Sequence, residues 1–377
     1  MNAAIKQAET PIPINKRPIV KPNNDSEKAK TKGITVYHLN IGQPDIETPE
    51  VALNAVKNLD RKVIEYSHSA GFESYRNALS AYYIKNGIRV SPEDIIITTG
   101  GSEALIFGFM TTCNPGDEVI IPEPFYANYN GFAVTAGINV VPVTATIESG
   151  FALPPITEIE KKITKRTKAI VPVHFTGYMT YMPEIIRIAK KYNLFVVEDA
   201  AQAIDSYYNG KPLGSIGHMA AFSFHETKNI TCGEGGALLI NSAQFVDRAE
   251  ILREKGTDRT KFLRGQVDKY TWVDIGSSWV MSDILAAILA SQLERASDIQ
   301  KKRENIFNFY QHHLDKWSAR NDIRIPFVPD YCEHSSHMYY LRLPDGLSRD
   351  RFISHMKDHG VSAVFHYQPL HLSAVGK

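Results

Sequence analysis

The chain has 377 residues, and 42 Lys plus Arg against 41 Asp plus Glu leave a formal net charge of +1. That balance excludes a global electrostatic pull toward nucleic acid or anionic lipid. With 43% hydrophobic and 22% charged residues, the composition is that of a globular protein with a large core, not of a disordered or fibrous chain. Cys113, Cys232 and Cys332 are odd in number and far apart, which argues against a disulfide framework or a four-cysteine zinc site. No stretch approaches the ~20 apolar residues of a bilayer span, and the opening MNAAIKQAETPIPIN lacks the apolar block of a secretory signal. A cytoplasmic, soluble protein is expected, without nucleic acid or membrane as partner.

In chain order, residues 1–50 are expected to form an N-terminal arm, whose beginning is rich in Pro, Lys, Asn and Glu without periodicity. PEVALNAVKNL (49–59) and FESYRNALSAYYIKNG (72–87) carry apolar residues three and four apart and predict helices. Short β-branched runs then recur at 94–100, 117–122, 139–143, 168–174, 195–200, 219–225 and 236–241. Several are apolar throughout, as strands covered on both faces are, and most connections can hold crossover helices. The prediction is an α/β fold with a mostly parallel seven-stranded sheet and helices on both faces. The link from 225 to 236 is short enough for the last pair to be antiparallel. A long amphipathic helix is predicted over 281–317, followed by strand, strand, helix and strand in IRIPFV, MYYLRL, SRDRFISHMKDHG and VSAVFHY. Residues 51–290 are therefore expected to form a large domain and 291–377 a small α+β one.

In open parallel sheets the ligand site lies at the carboxyl ends of the strands. The run 94–100 leads into Gly100, Gly101, Ser102 and Glu103 before the helical ALIFGFM, so backbone N–H groups at a helix start form a phosphate cradle. There is neither GxGxxG nor GK[ST], which argues against a dinucleotide fingerprint and a nucleotide P-loop. The run 195–200 ends in Glu198 and Asp199, followed by Gln202, and the run 219–225 carries Ser223 and leads to Lys228. A cradle, a strand-end Asp and a loop Lys together are what pyridoxal 5'-phosphate requires: the lysine bonds the aldehyde, and the Asp keeps the pyridine nitrogen protonated. At an effective dielectric near 20, two unit charges 4 Å apart interact by roughly 4 kcal/mol, enough to hold that nitrogen charged. An aromatic from PEPFYANY would stack on the ring. His366 and His371 lie five apart with no accompanying Cys or carboxylate, poor zinc geometry, so no metal is expected.

From about residue 168 onward, KAIVPVHFTG, LFVVEDAAQA, GSIGHMAAFSFHETKNITCGEGGALLIN, REKGTDRTKFLRGQVDKYTWVDIGSSWVMSD and VFHYQPLH closely resemble the DegT/DnrJ/EryC1/StrS sugar-nucleotide aminotransferases. The earlier segments YHLNIGQPDIETPE, YSHSAGFESYRNALS, TTGGSEAL and NPGDEVIIPEPFYANYNGF are similar to class I aminotransferases of the aspartate type. Both families share the fold type I scaffold of pyridoxal-phosphate enzymes, so the chain has the look of a hybrid joined at an equivalent point of one fold.

The resemblance implies that Lys228 is the lysine that bonds the cofactor and shuttles protons, and that Asp199 partners the ring nitrogen. It places Gln202 beside the phenolic oxygen and makes Ser223 a phosphate ligand. In the first half it matches Gly101, Ser102 and Glu103 to the phosphate-binding turn, Tyr126 to the stacking aromatic, and Tyr66 to a tyrosine reaching the neighbouring subunit's phosphate, which implies a homodimer. His366 and Tyr367 would face the substrate. Family members carry Asn and Arg where this chain has Ser278 and Val280, and they continue past the PLH motif into a closing helix, so a truncated small domain is one of the readings. The implied reaction moves an amino group from a donor, glutamate, to a keto sugar nucleotide of the dTDP-4-keto-6-deoxyglucose kind. Two alternatives stand beside it: a class I amino-acid/2-oxo-acid aminotransferase, and a catalytically inactive or merely cofactor-binding hybrid.

Overall fold

The computed structural model describes residues 31, 37–38, 47–58, 70–126, 128–276 and 281–365. These form two compact units, one from the described residues between 47 and 345, the other from residues 31, 37–38 and 346–365. In the larger unit, all seven β-branched runs become strands of one sheet: β1 Ile95–Thr98, β2 Glu118–Glu123, β3 Asn139–Thr144, β4 Thr167–Ile170, β5 Phe195–Asp199, β6 Met219–Ser223 and β7 Gly236–Ile240. Their spatial order is β1-β7-β6-β5-β4-β2-β3. Strands β2 to β6 pair in parallel, whereas β7 is antiparallel to both β1 and β6. The central strands are buried residue after residue because both faces are covered. At one edge lies β3, which is largely exposed and contains Pro142, whose missing N–H is tolerated on an edge strand.

Helix α1 (Glu50–Lys57) and helix α2 (Glu73–Lys85) realise the two early helical patterns. Helix α3 (Gly101–Thr112) is apolar on nearly all sides, since it packs on β5, β6 and β7 while α4 (Tyr129–Ala136) and α7 (Val246–Arg253) cover it. Between α4 and α7 in the chain come α5 (Ile156–Lys162) and α6 (Met182–Tyr192). A short α8 (Arg259–Leu263) follows α7. The cluster of Tyr75, Leu79, Tyr83, Ile95, Ile97 and Phe222 fills the opposite face of the sheet beneath α2. Among the described residues no helix is long and apolar enough to cross a membrane. The three cysteines are buried and unbridged.

Two expectations are corrected. The helix predicted over 281–317 is two helices, α9 (Asp283–Glu294) and α10 (Ala296–Arg320), separated at Arg295, whose guanidinium bonds Asp298 at 2.8 Å. The first packs its apolar residues on α1 and α2, while the second buries only Ala296, Gln300, Phe307 and Ser318. IRIPFV and MYYLRL are not strands. They meet only through the bridge between Arg324 and Arg342, because Pro326, Pro329 and Pro344 remove ladder donors on either side. In the smaller unit the predicted helix is present as α11 (Arg349–Asp358), capped by Ser348, and Val361–Ser362 pairs in parallel with Tyr37–His38.

Candidate active site

Because β7 runs antiparallel between β1 and β6, its first residue sits beside the last residues of both neighbours: Gly236 pairs with Thr98 on one side and Ser223 on the other. The carboxyl ends of β1 and β6 are thus two strand spacings apart, about 10 Å. The start of α3 closes the gap between them. A Cβ on Gly236 would overlap the carbonyl of Gly100, and one on Gly101 would stand 2.7 Å from Ser223 Cβ. Glycine at both positions lets the helix terminus press onto the strand ends. Gly236→Ala is expected to lower the unfolding free energy by about 1–3 kcal/mol, the usual scale of overpacking, as read by urea denaturation.

The first hydrogen bond of α3 runs from Ala104 N–H to Gly100 C=O at 3.1 Å. The preceding N–H groups, of Gly101, Ser102 and Glu103, have no intrahelical partner and sit at the positive end of the helix dipole. An open cavity of about 400 Å³ adjoins this turn, lined by Thr99, Gly100, Ser102, Glu103, Ile106 and Glu234. Glu103 itself turns back: its Oε2 accepts from Thr99 N–H at 2.5 Å and Thr99 Oγ1–H at 3.0 Å, and burial pushes its carboxyl up to about 7 against those bonds. Ser223 completes this corner, its Oγ accepting a long bond from His225 N–H at 3.4 Å.

At the end of β5, successive side chains leave on opposite faces. Asp199 shares the face of Val197, toward α3 and α4, and is 6% exposed. Its Oδ1 accepts from Ala201 N–H at 2.9 Å and its Oδ2 from the buried hydroxyl of Tyr129. Burial, then the charge and hydrogen bond of Asp199, hold the Tyr129 phenol well above the usual tyrosine value, so it remains a donor. Lys228 lies in the loop that joins β6 to β7, which is closed by Phe224 N–H to Gly235 C=O at 2.7 Å and Glu226 N–H to Gly233 C=O at 2.8 Å. Burial lowers the Lys228 ammonium from the ordinary lysine value, and the negative charge of Asp199 acts against that shift. The structure therefore brings Lys228 within electrostatic range of Asp199.

Glu198 takes the other face. It and His174 are both 0% exposed. Its Oε2 accepts from His174 Nε2 and Gly214 N–H, each at 2.9 Å, and its Oε1 from Ile216 N–H at 2.8 Å and Gly217 N–H at 2.5 Å. Thr180 N–H donates to His174 Nδ1 at 3.3 Å, so the imidazole proton sits on Nε2 and points at the carboxylate. His174 N–H also holds the Asp199 carbonyl at 3.0 Å, which ties this buried cluster to the strand end that carries Asp199.

Gln202 Oε1 accepts from Thr176 N–H at 2.6 Å, and its carbonyl accepts from Ser335 Oγ–H at 2.8 Å. Asn229, next to Lys228, donates to the Ser335 carbonyl at 2.5 Å and faces His337 Nδ1 at 2.9 Å. Residues 335–337 thus tie the Lys228 loop to the Gln202 segment. Tyr126 is 52% exposed, its hydroxyl accepting from Asn128 Nδ2–H at 2.9 Å, and three residues on Tyr129 reaches Asp199. Tyr66, His366 and Tyr367, with Ser278 and Val280, lie outside the described residues. Among the described residues no group of three or more His, Cys, Asp or Glu is gathered to hold a metal ion. Tyr129 and His174 are site residues the sequence analysis did not single out. Only their place in PEPFYANY and VPVHFTG, beside residues already chosen, hinted at them.

Comparison with known proteins places these features in one family. The profile of the DegT/DnrJ/EryC1/StrS aminotransferase family matches residues 89–376. That range takes in TTGGSEAL and PEPFYANY as well as everything after residue 168. The spore coat polysaccharide biosynthesis protein SpsC of Bacillus subtilis is 34% identical over 267 residues, 68% of this chain and 67% of its own length. GDP-perosamine synthase of Caulobacter vibrioides is 34% identical over 265 residues, again 68% of this chain and 67% of that protein. Among solved structures, the aminotransferase TlmJ from Streptoalloteichus hindustanus superposes with a TM-score of 0.75 at 23% identity, covering 91% of this chain and 88% of that one. This likeness shows the fold, that of fold type I. With the family profile spanning most of the sequence, the chain belongs to the DegT/DnrJ/EryC1/StrS aminotransferase family, whose members are pyridoxal-phosphate-dependent transaminases.

Proposed function

We propose that this aminotransferase binds pyridoxal 5'-phosphate at the turn 100–103 and moves an amino group from glutamate to a keto sugar nucleotide of the dTDP-4-keto-6-deoxyglucose kind. The observation that carries the reading is the helix terminus that opens on a cavity beside the strand ends, with Ser223 and the Lys228 loop at the end of β6 and Asp199 at the end of its parallel neighbour β5. The residues fit the cofactor chemically. The N–H groups of 101–103 with the Ser102 and Ser223 hydroxyls suit a phosphate, Asp199 suits a protonated ring nitrogen, and Lys228 suits an aldehyde. When bound, the cofactor supplies an electron sink that stabilises the carbanion left when an α-proton departs.

The chain's own part is to orient and to move protons. Asp199, with both oxygens already held by Ala201 and Tyr129, would present a fixed carboxylate to the ring nitrogen. Lys228 Nζ, with its pKa lowered by burial, takes the proton from the donor's α-carbon and later returns one to the acceptor carbon, as a general base and acid within hydrogen-bond reach. Gln202 and Tyr126 are assigned to the rim and face of the cofactor ring, and Tyr66, His366 and Tyr367 to the partner phosphate and the substrate. A homodimer belongs to the same proposal: Trp272, 78% exposed, is apolar surface that a second copy would cover. The sugar substrate is supported by the GDP-perosamine synthase and spore coat polysaccharide relatives.

The test is the visible spectrum of the protein with pyridoxal phosphate, before and after glutamate. A band that free cofactor lacks, that fades with glutamate and returns on adding the keto sugar nucleotide, is the expected result. The class I-like segments before residue 168 favour the second reading, an amino-acid aminotransferase. It predicts instead that aspartate or an aromatic amino acid removes the band and that 2-oxoglutarate alone restores it. Absence of any band would overturn both.

A further inference from the structure

Glu103 is the third residue of α3, and a carboxylate there is unexpected in an anion cradle. The side chain is 5% exposed. The two bonds from Thr99 fix Oε2, whereas Oε1 is buried and has no hydrogen-bond partner among the described residues. The residue lines the same cavity as Gly100 and Ser102. Ionised, it would repel a phosphate seated on the adjacent N–H groups and would leave a buried charge half-satisfied. Protonated, it offers one more O–H donor on the side of Oε1.

We propose that Glu103 serves the cradle as a carboxylic acid: its Oε1–H donates to a phosphate oxygen held at the start of α3, and binding of a phosphate monoester takes up one proton from solvent. This deepens, and rests on, the assignment of the 100–103 turn as the cofactor's phosphate site. The proton returns to solvent when the phosphate leaves, so the step is balanced. Burial already pushes the carboxyl up to about 7, so both forms are present near neutrality, and a dianion beside it favours the protonated one. The other charged groups around the cradle are Glu234 before β7, His225 after β6, which faces Glu234 at 3.5 Å, Lys228 in the same loop, and Asp199 at the end of β5. The Glu234 side chain is 66% exposed and is screened by solvent and salt.

The sign follows from linkage. Below about pH 7 free and bound protein both carry the proton, and affinity is unaffected by this group. Above it the free protein loses the proton first, so affinity falls by about tenfold per pH unit until the bound form also titrates. Glu103→Gln keeps an acceptor for Thr99 and places a permanent N–H donor on the other side.

Pyridoxamine 5'-phosphate is the probe, because its amine cannot bond to Lys228 and its own ionisations are common to both proteins. Fluorescence titration of the full chain between about pH 6 and pH 9 should show the ratio of wild-type to Glu103→Gln Kd rising about tenfold per unit above pH 7. Calorimetry at about pH 8 in two buffers of different ionisation heat should show about one more proton taken up by the wild type. Parallel pH profiles, or loss of binding in a folded Glu103→Gln variant alone, would overturn the role of Glu103 and leave the cradle standing, and failure of the wild type to bind the probe would overturn both. Should the variant not fold, wild-type calorimetry without net proton uptake at pH 8 is sufficient to reject the proposal.

Discussion

Lys228→Ala is expected to lower turnover by at least the about 10²–10⁴-fold that a positioned general acid–base group contributes, and further because the proposed bond to the cofactor's aldehyde is lost with it. The geometry accounts for the size of the effect. The loop that carries Lys228 is closed by backbone hydrogen bonds between residues 224 and 235, and burial lowers the ammonium toward the neutral form that can accept a proton. The negative charge of Asp199 acts on Lys228 and opposes that lowering. Steady-state rates with glutamate as donor measure the loss. Partial rescue by a small amine such as methylamine would locate the defect at the missing Nζ, not at the fold. Wild-type turnover in the variant would remove Lys228 from the mechanism.

Glu198→Ala is expected to destabilise the large unit by about 3–5 kcal/mol, because each buried donor left without its acceptor costs about 1–3 kcal/mol. Four donors converge on this carboxylate: the imidazole of His174 and the N–H groups of Gly214, Ile216 and Gly217. All four would lose their acceptor in a site with no access to water. Glu198→Gln should be little better, because its NH₂ would face either the Ile216 and Gly217 N–H groups or those of His174 and Gly214, donor against donor. Urea unfolding measures the change. Since His174 N–H also holds the carbonyl of Asp199, the activity of the folded fraction should fall as well. A stability within about 0.5 kcal/mol of wild type, the range of ordinary surface substitutions, would mean that the cluster is not satisfied as drawn.

The strands were readable because their signal is local. Runs such as III (95–97) and FVV (195–197) are apolar where both faces are covered, and every one of the seven entered the sheet. The strand-end rule then proposed Asp199, Ser223 and the turn 100–103 without knowledge of the strand order, since it depends only on where a parallel strand stops. The rule failed to anticipate Tyr129, which meets Asp199 across 70 residues, because its position between Asn128 and Asn130 carries no mark of which side chain it will touch. The later chain was less readable for a different reason. A helical pattern continues across Arg295 in sequence, with Leu289, Leu293, Ala296 and Gln300 buried at helical spacing on both sides of the break, so the period carries no mark of it, and the apolar content of IRIPFV and MYYLRL says nothing of the prolines' missing donors until a ladder is sought.

Sequence by itself determined the fold class and the seven strands, and it put forward the strand-end residues of the proposed site, because hydrophobic period and strand termini are properties of short segments. Tertiary structure alone decided the partners. It turned Glu198 and Asp199 to opposite faces of β5, one into a closed cluster of donors and the other toward Lys228. It folded Glu103 back on Thr99 with one oxygen left over, and it let two glycines bring α3 onto the strand ends. Each of these depends on which surfaces meet when distant segments pack, and burial then sets how strongly every unpaired charge is felt.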